Sequence, residues 1–213
     1  SFMILAFVIH SDEVLAQCAN LPKVYNALKS EAAYSTRDSN IISDQNIQYV
    51  GRYKDSIYIG INSSLKEQLD RHKQYPENYI NFPKGKLKLS ICNSNIIKMS
   101  FRYDLKSIKK NIYYSYPIII ENIDSLPIEI SIRKYRPITV EYKDKSGNWK
   151  TLLARENIIG CTTGDKRCFI KPKEIAIFTI PIYSDLTGEF RVKSGNTYSN
   201  IIYQDSKLLK NEN

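Results

Sequence analysis

Residues 138–153 read I-T-V-E-Y-K-D-K-S-G-N-W-K-T-L-L, and this stretch decides the fold class. Ile138, Val140 and Tyr142 alternate with Thr139, Glu141 and Lys143, which gives one apolar and one polar face, the pattern of a half-buried strand. Residues 144–148 are turn chemistry, with Gly147 free to take positive φ. Trp149, the only tryptophan, opens the return strand. Its large ring is expected to plug the core beneath the hairpin.

Outward from this hairpin the same rhythm runs to the end of the chain. Strands are expected at 114–121, 127–132, 138–143, 149–153, 174–182, 188–193 and 198–203, with turn residues between them. Seven short strands without an intervening helix, in about a hundred residues, match the pattern of an Ig-like β-sandwich. Composition agrees, since 16 Tyr and only 8 Gly in 213 residues favour strands over helices. The expected fold is therefore mainly β: a C-terminal Ig-like antiparallel β-sandwich over 111–206, preceded by a smaller α+β or β unit over 17–110, with 207–213 as a frayed tail.

Within the N-terminal unit, Leu21, Val24, Tyr25 and Leu28 stand at helical spacing behind Pro22, so a short helix is expected over 18–33. Two or three strands follow in 41–61, then a brief helix over 64–73 capped by Ser63 or Ser64, then a loop over 74–85. A hairpin comes next. Its apolar sets are Leu87, Leu89 and Ile91, then Ile97, Met99, Phe101, Tyr103 and Leu105, with the turn at 93–95.

The charge of +9 is concentrated. Residues 84–110 hold Lys84, Lys86, Lys88, Lys98, Arg102, Lys106, Lys109 and Lys110 against Asp104 alone. In the expected hairpin, strand alternation places Lys86, Lys88, Lys98 and Arg102 on one solvated face, a candidate strip for a polyanion such as acidic glycan, lipid headgroup or nucleic acid. The alternative is a solubilising face whose lysines discourage edge pairing. Phe101 and Tyr103 fall on the other side, so base stacking is not expected.

Residues 2–9 form an apolar run too short to span a bilayer, so no integral membrane span is expected from it. With Val14, Leu15 and Ala16 ahead of Gln17, residues 1–16 read as the remnant of a secretory signal, and the protein as secreted or periplasmic. An amphipathic helix packed on the core is the alternative, and a lipid anchor at Cys18 is disfavoured by the preceding Gln. In an oxidising compartment the four cysteines suggest disulfides. Cys161 and Cys168 flank a short polar loop and suit a stapled hairpin, which leaves Cys18 with Cys92. Four cysteines allow three pairings, or four free thiols in a cytosolic protein.

The succession I-I-I-E-N-I-D-S-L-P-I-E-I, V-E-Y-K-D-K-S-G-N-W, F-I-K-P-K-E-I-A-I-F-T-I-P and G-E-F-R-V-K resembles the secreted Ig-like modules of bacterial cell-envelope proteins. The resemblance covers the C-terminal half and rests on Asn122, Trp149, Pro172 with Glu174, and Gly188 with Phe190. The 161–168 loop departs from the inter-sheet disulfide of antibody domains. The resemblance implies recognition, adhesion or structural support, toward an unknown protein or glycan at the cell surface. Candidate contact segments are the loop 162–167 and the tyrosines Tyr113, Tyr114 and Tyr116.

Catalytic chemistry finds little footing. His10 falls in the expected signal, and His72 would need an unpaired Cys92 beside it to act as a base. A pair of distant carboxylates such as Glu141 with Glu156 is open to a hydrolase, but nothing selects it. No metal-ligand spacing and no phosphate-cradling glycine loop is present, so neither a metal nor another cofactor is expected.

Overall fold

The computed structural model describes residues 18, 20–26, 47–59, 77–81, 84–101, 111–131, 138–153 and 167–206. Over these the regular elements are strands: β1 (Lys23–Asn26), β2 (Tyr49–Arg52), β3 (Ser56–Ile59), β4 (Ile80–Asn81), β5 (Leu87–Ile91), β6 (Ile97–Phe101), β7 (Asn111–Asn122), β8 (Ile128–Ser131), β9 (Thr139–Lys143), β10 (Trp149–Leu153), β11 (Arg167–Ile170), β12 (Glu174–Pro181), β13 (Gly188–Ser194), β14 (Thr197–Tyr198) and β15 (Ile202–Gln204). The chain is mainly β, as its composition implies. The helix expected over 64–73 lies outside the described residues. The one expected over 18–33 is corrected where it can be seen, because Lys23–Asn26 is a strand in parallel register with Ser56–Ile59. Its alternation buries Val24 and leaves Lys23 and Tyr25 exposed.

β7 and β12 are apolar on both faces, and this organises the layers. They pair antiparallel at the centre of a sheet ordered β2, β12, β7, with β5 and β6 both on the far edge of β7. Tyr116, Ile118 and Ile120 with Ala176, Phe178 and Ile180 point into one core, where they meet Val140, Phe190 and Val192 of a second sheet and Ile128 and Ile130 of β8. The alternate residues Tyr113, Ile119, Ile175 and Ile177 point the other way, into a second core with Val24, Ile57 and Ile59 of the β1–β3 pair. The central sheet is thus a middle layer. A strand covered on both faces reads as a near-continuous apolar run, which is what residues 116–120 and 175–182 show.

The second sheet runs β10, β9, β13, with β14 and β15 sharing the far edge of β13. A small third sheet orders β11, β8, β4. The boundary expected near residue 110 runs through hydrogen-bonded sheet, since β2, β5 and β6 from one side of it pair with β7 and β12 from the other.

β5 and β6 do not form the expected hairpin. Both run antiparallel to β7, Leu87 opposite Asn122 and Ile97 opposite Ser115, so they are two pieces of one edge strand. Between them the five residues 92–96 stand opposite two, Tyr116 and Pro117. The cause lies in β7. Ile123 donates to the Lys86 carbonyl, so the odd-numbered residues of this strand bond the edge, and Pro117 in that set has no N–H to give. An odd excess of three residues inverts the side-chain alternation. Leu87, Leu89 and Ile91 consequently enter the first core and Ile97 and Met99 the second.

The edge of β13 is interrupted too. Ser199 to Ile201 stand opposite Arg191 and Val192, and Asn200 swings out of the ladder there. Its side-chain amide accepts from the Ile91 N–H at 2.9 Å and donates to the Ile91 carbonyl at 2.9 Å, acting as a one-residue strand that closes the corner between the two sheets. Asn200→Ala removes both partners at once and is expected to cost about 2 kcal/mol in urea denaturation. Asn200→Asp is expected not to rescue it, because a carboxylate cannot donate to the carbonyl. A loss below about 0.5 kcal/mol for the alanine variant would show that this corner does not depend on the amide.

Tyr183 supplies a pH signature of the same core. Burial, and secondly the negative charge of Asp185, push its hydroxyl from 10.0 up to about 12. A raised folded pKa means that this contribution is whole below pH 10 and is lost as pH climbs toward the folded value. Stability should fall by up to about 3 kcal/mol between pH 10 and 12 and Tyr183→Phe should flatten that limb, as measured by denaturation across the alkaline range.

Candidate functional site

The motif residues behind the envelope-module resemblance hold the frame together. Asn122 is buried, its amide donating to the Leu126 and Ile170 carbonyls at 2.9 and 2.7 Å while its oxygen accepts from Asp124 N–H. Glu174 accepts from the Lys171 N–H at 3.0 Å. Gly188 sits at φ 142°, a conformation side chains disfavour, and Phe190 is in the core. Tyr113 and Tyr116 are core residues, which corrects their expected role in recognition, while Tyr114 is half-buried.

The expected cationic strip is split by the strand break. Lys88 stands opposite Glu121 and Lys98 opposite Tyr114. Those partners are seven positions apart on one strand, an odd offset, so the two lysines project from opposite faces of the sheet. Lys88 lies 3.9 Å from Glu121. Lys86 shares the Lys88 side and neighbours Asp124, whose carboxyl is held below its ordinary pKa by the Lys86 and Ser125 backbone amides. Arg102 lies outside the described residues. The shared face that motivated the strip is therefore corrected, because alternation is conserved within a strand but not across a five-residue interruption.

Cys18 and Cys92 form a disulfide, with their Cα atoms 5.4 Å apart. Cys161 lies outside the described residues, as do the loop 162–166, Glu156, His10 and His72.

Sequence reasoning missed the outward face of the second sheet. Across β10, β9 and β13, Thr151, Glu141 and Arg191 stand in register, flanked by Trp149 opposite Lys143 and by Lys193 opposite Tyr198. Trp149 is half-buried on this face rather than plugging the core, a correction forced by its pairing with Lys143 on the polar side of β9. The Arg191 guanidinium lies 4.0 Å from the Trp149 ring centroid and 4.2 Å from that of Tyr198, while its Nε donates to Glu141 at 2.7 Å. Lys143 binds Glu189 at 2.9 Å and also lies over Trp149. Lys193 caps the row 5.4 Å from the Tyr198 centroid.

The result is a row in which cations and rings hold one another in place. Tyr198, Ile201 and Tyr203 are exposed beside it. Long side chains locked by ion pairs and stacking lose little further freedom on contact, so such a face suits binding of a partner. Its signal was present only as spaced residues: Trp149 and Arg191 are forty-two positions apart and meet through the register of three strands.

A second feature is an open groove of about 290 Å³ beside the disulfide. One wall is the segment Leu21, Pro22, Lys23 and Tyr25, and the other is the strand break at Ser94 and Asn95. The Asn95 amide accepts from Val24 N–H at 2.7 Å and donates to the Val24 carbonyl at 3.0 Å, tying the walls together. Tyr25 stacks on Tyr58 with centroids 5.3 Å apart. Among the described residues no cluster of His, Cys, Asp or Glu has metal-binding geometry, and no helix is long and apolar enough to cross a membrane. Protein-family models, curated proteins and solved structures give no match to this chain.

Proposed function

We propose that this protein is a non-catalytic, exported module that acts in recognition or structural support at the bacterial cell envelope, its sandwich belonging to the Ig-like class. The observation that carries the reading is the outward face of the second sheet, where Arg191 lies between Trp149 and Tyr198 and the exposed Ile201 and Tyr203 adjoin them. Rigid aromatic and guanidinium groups at the centre of a face are the side chains that dominate protein contacts. Export is supported by the Cys18–Cys92 bridge, which persists in oxidising compartments. The polyanion reading draws less support, since Lys88 and Lys98 do not share a face.

The test is fractionation of native cells together with sedimentation of purified protein on isolated envelope. Wild type is expected in the exported fraction and to sediment with envelope, while a Tyr198→Ala, Tyr203→Ala double variant of unchanged melting temperature remains in the supernatant. Equal sedimentation of both would remove the face from the argument. Recovery from the cytosol alone would remove the location.

A further inference from the structure

We infer that the groove beside the Cys18–Cys92 disulfide binds a six-membered sugar ring carrying a carboxylate, such as a hexuronate unit of a glycan. It involves a different surface from the face proposed above and does not depend on it. Lys23 and Tyr25 are alternate residues of one strand, so both project from its outward side, about 6.6 Å apart along the strand. That spacing lets a ring stacked on Tyr25 direct a carboxylate substituent at the Lys23 ammonium.

Each wall contributes something a uronate needs. Tyr25, held by its stack on Tyr58, offers a flat apolar surface for the C–H face of a sugar, with Pro22 and Leu21 beside it. Among the described residues that line the groove, Lys23 is the one charged side chain, and a monoanion would complement it. The Ser94 hydroxyl, 3.0 Å from Cys92 Sγ, keeps hydrogen-bonding capacity for a sugar hydroxyl. The volume lies at the small end of ligand sites, which suits a single ring rather than a long chain. The walls are preformed, because the disulfide and the paired Asn95–Val24 hydrogen bonds fix their separation before any ligand arrives.

The experiment is titration of the full oxidised chain with methyl glucuronide, methyl glucoside and benzoate, followed by ligand-observed NMR. Saturable binding of the glucuronide is expected, with the glucoside and benzoate much weaker. Lys23→Gln should weaken the glucuronide about tenfold and remove most of its salt dependence, the loss of one charge-assisted contact. Tyr25→Ala should abolish binding. Both side chains are exposed, so the variants should melt with the wild type. The inference is overturned by absence of saturable glucuronide binding, by glucoside or benzoate binding equally well, or by Lys23→Gln binding like wild type.

Discussion

Replacing Cys18 and Cys92 together by serine is expected to lower the free energy of unfolding by about 4.5 kcal/mol, the entropy that a cross-link across 74 positions removes from the unfolded chain. A domain of this size is stable by about 5–15 kcal/mol, so the loss is a large fraction of the total. Its structural focus is β1, which pairs only with β3 among the described strands and is otherwise fastened to the broken edge by the bridge, by Asn95 and by Asn26, whose amide donates to the Lys98 carbonyl. Urea denaturation of the oxidised double variant against oxidised wild type measures this constraint alone. A difference from oxidised wild type below about 1 kcal/mol would mean that the bridge does not act as a staple. Hydrogen exchange should show the largest loss of protection in β1, the strand next to the bridge.

What could be read from sequence follows the range over which each signal acts. The alternation of Ile138, Val140 and Tyr142 is local, and β9 lies where it predicts, with Ile138 and Val140 buried. The same rule misplaced Lys98 because alternation has no memory across residues 92–96. The needed clue was Pro117, twenty-one positions beyond Ile96, whose missing N–H faces the break. β1 reads as helix because Leu21, Val24, Tyr25 and Leu28 fall at i, i+3, i+4 and i+7, whereas the strand buries Val24 and exposes Tyr25, and the deciding partner, Ser56–Ile59, is remote. β4, with two residues, is too short to carry a period at all. The Cys18–Cys92 pairing came by elimination and holds. The Trp149–Arg191–Tyr198 row was illegible for a different reason. Its members sit at ordinary surface positions of three strands, and only the register between strands brings Trp149 and Tyr198 to 4.0 and 4.2 Å from the Arg191 guanidinium.

Ile177→Ala and Phe178→Ala, adjacent in sequence, should each be as damaging as a core truncation, at about 2–5 and 3–5 kcal/mol respectively. In a two-layer sandwich one of two consecutive strand residues faces solvent or a rim, and its truncation costs little. Here Phe178 enters the core shared with Phe190 and Val192, while Ile177 enters the second core with Ile57 and Ile97. Both are at most 1 % exposed. The two side chains leave β12 in opposite directions and share no cavity, so the losses should add in the double variant to within about 0.5 kcal/mol. The discriminating measurement is the Ile177 single variant. If it loses less than about 1 kcal/mol, the β1–β3 pair does not cover the central sheet in solution and the middle-layer arrangement fails. A full loss locates the N-terminal strands on the sheet and explains why β12 carries an apolar run where an edge or one-sided strand would alternate.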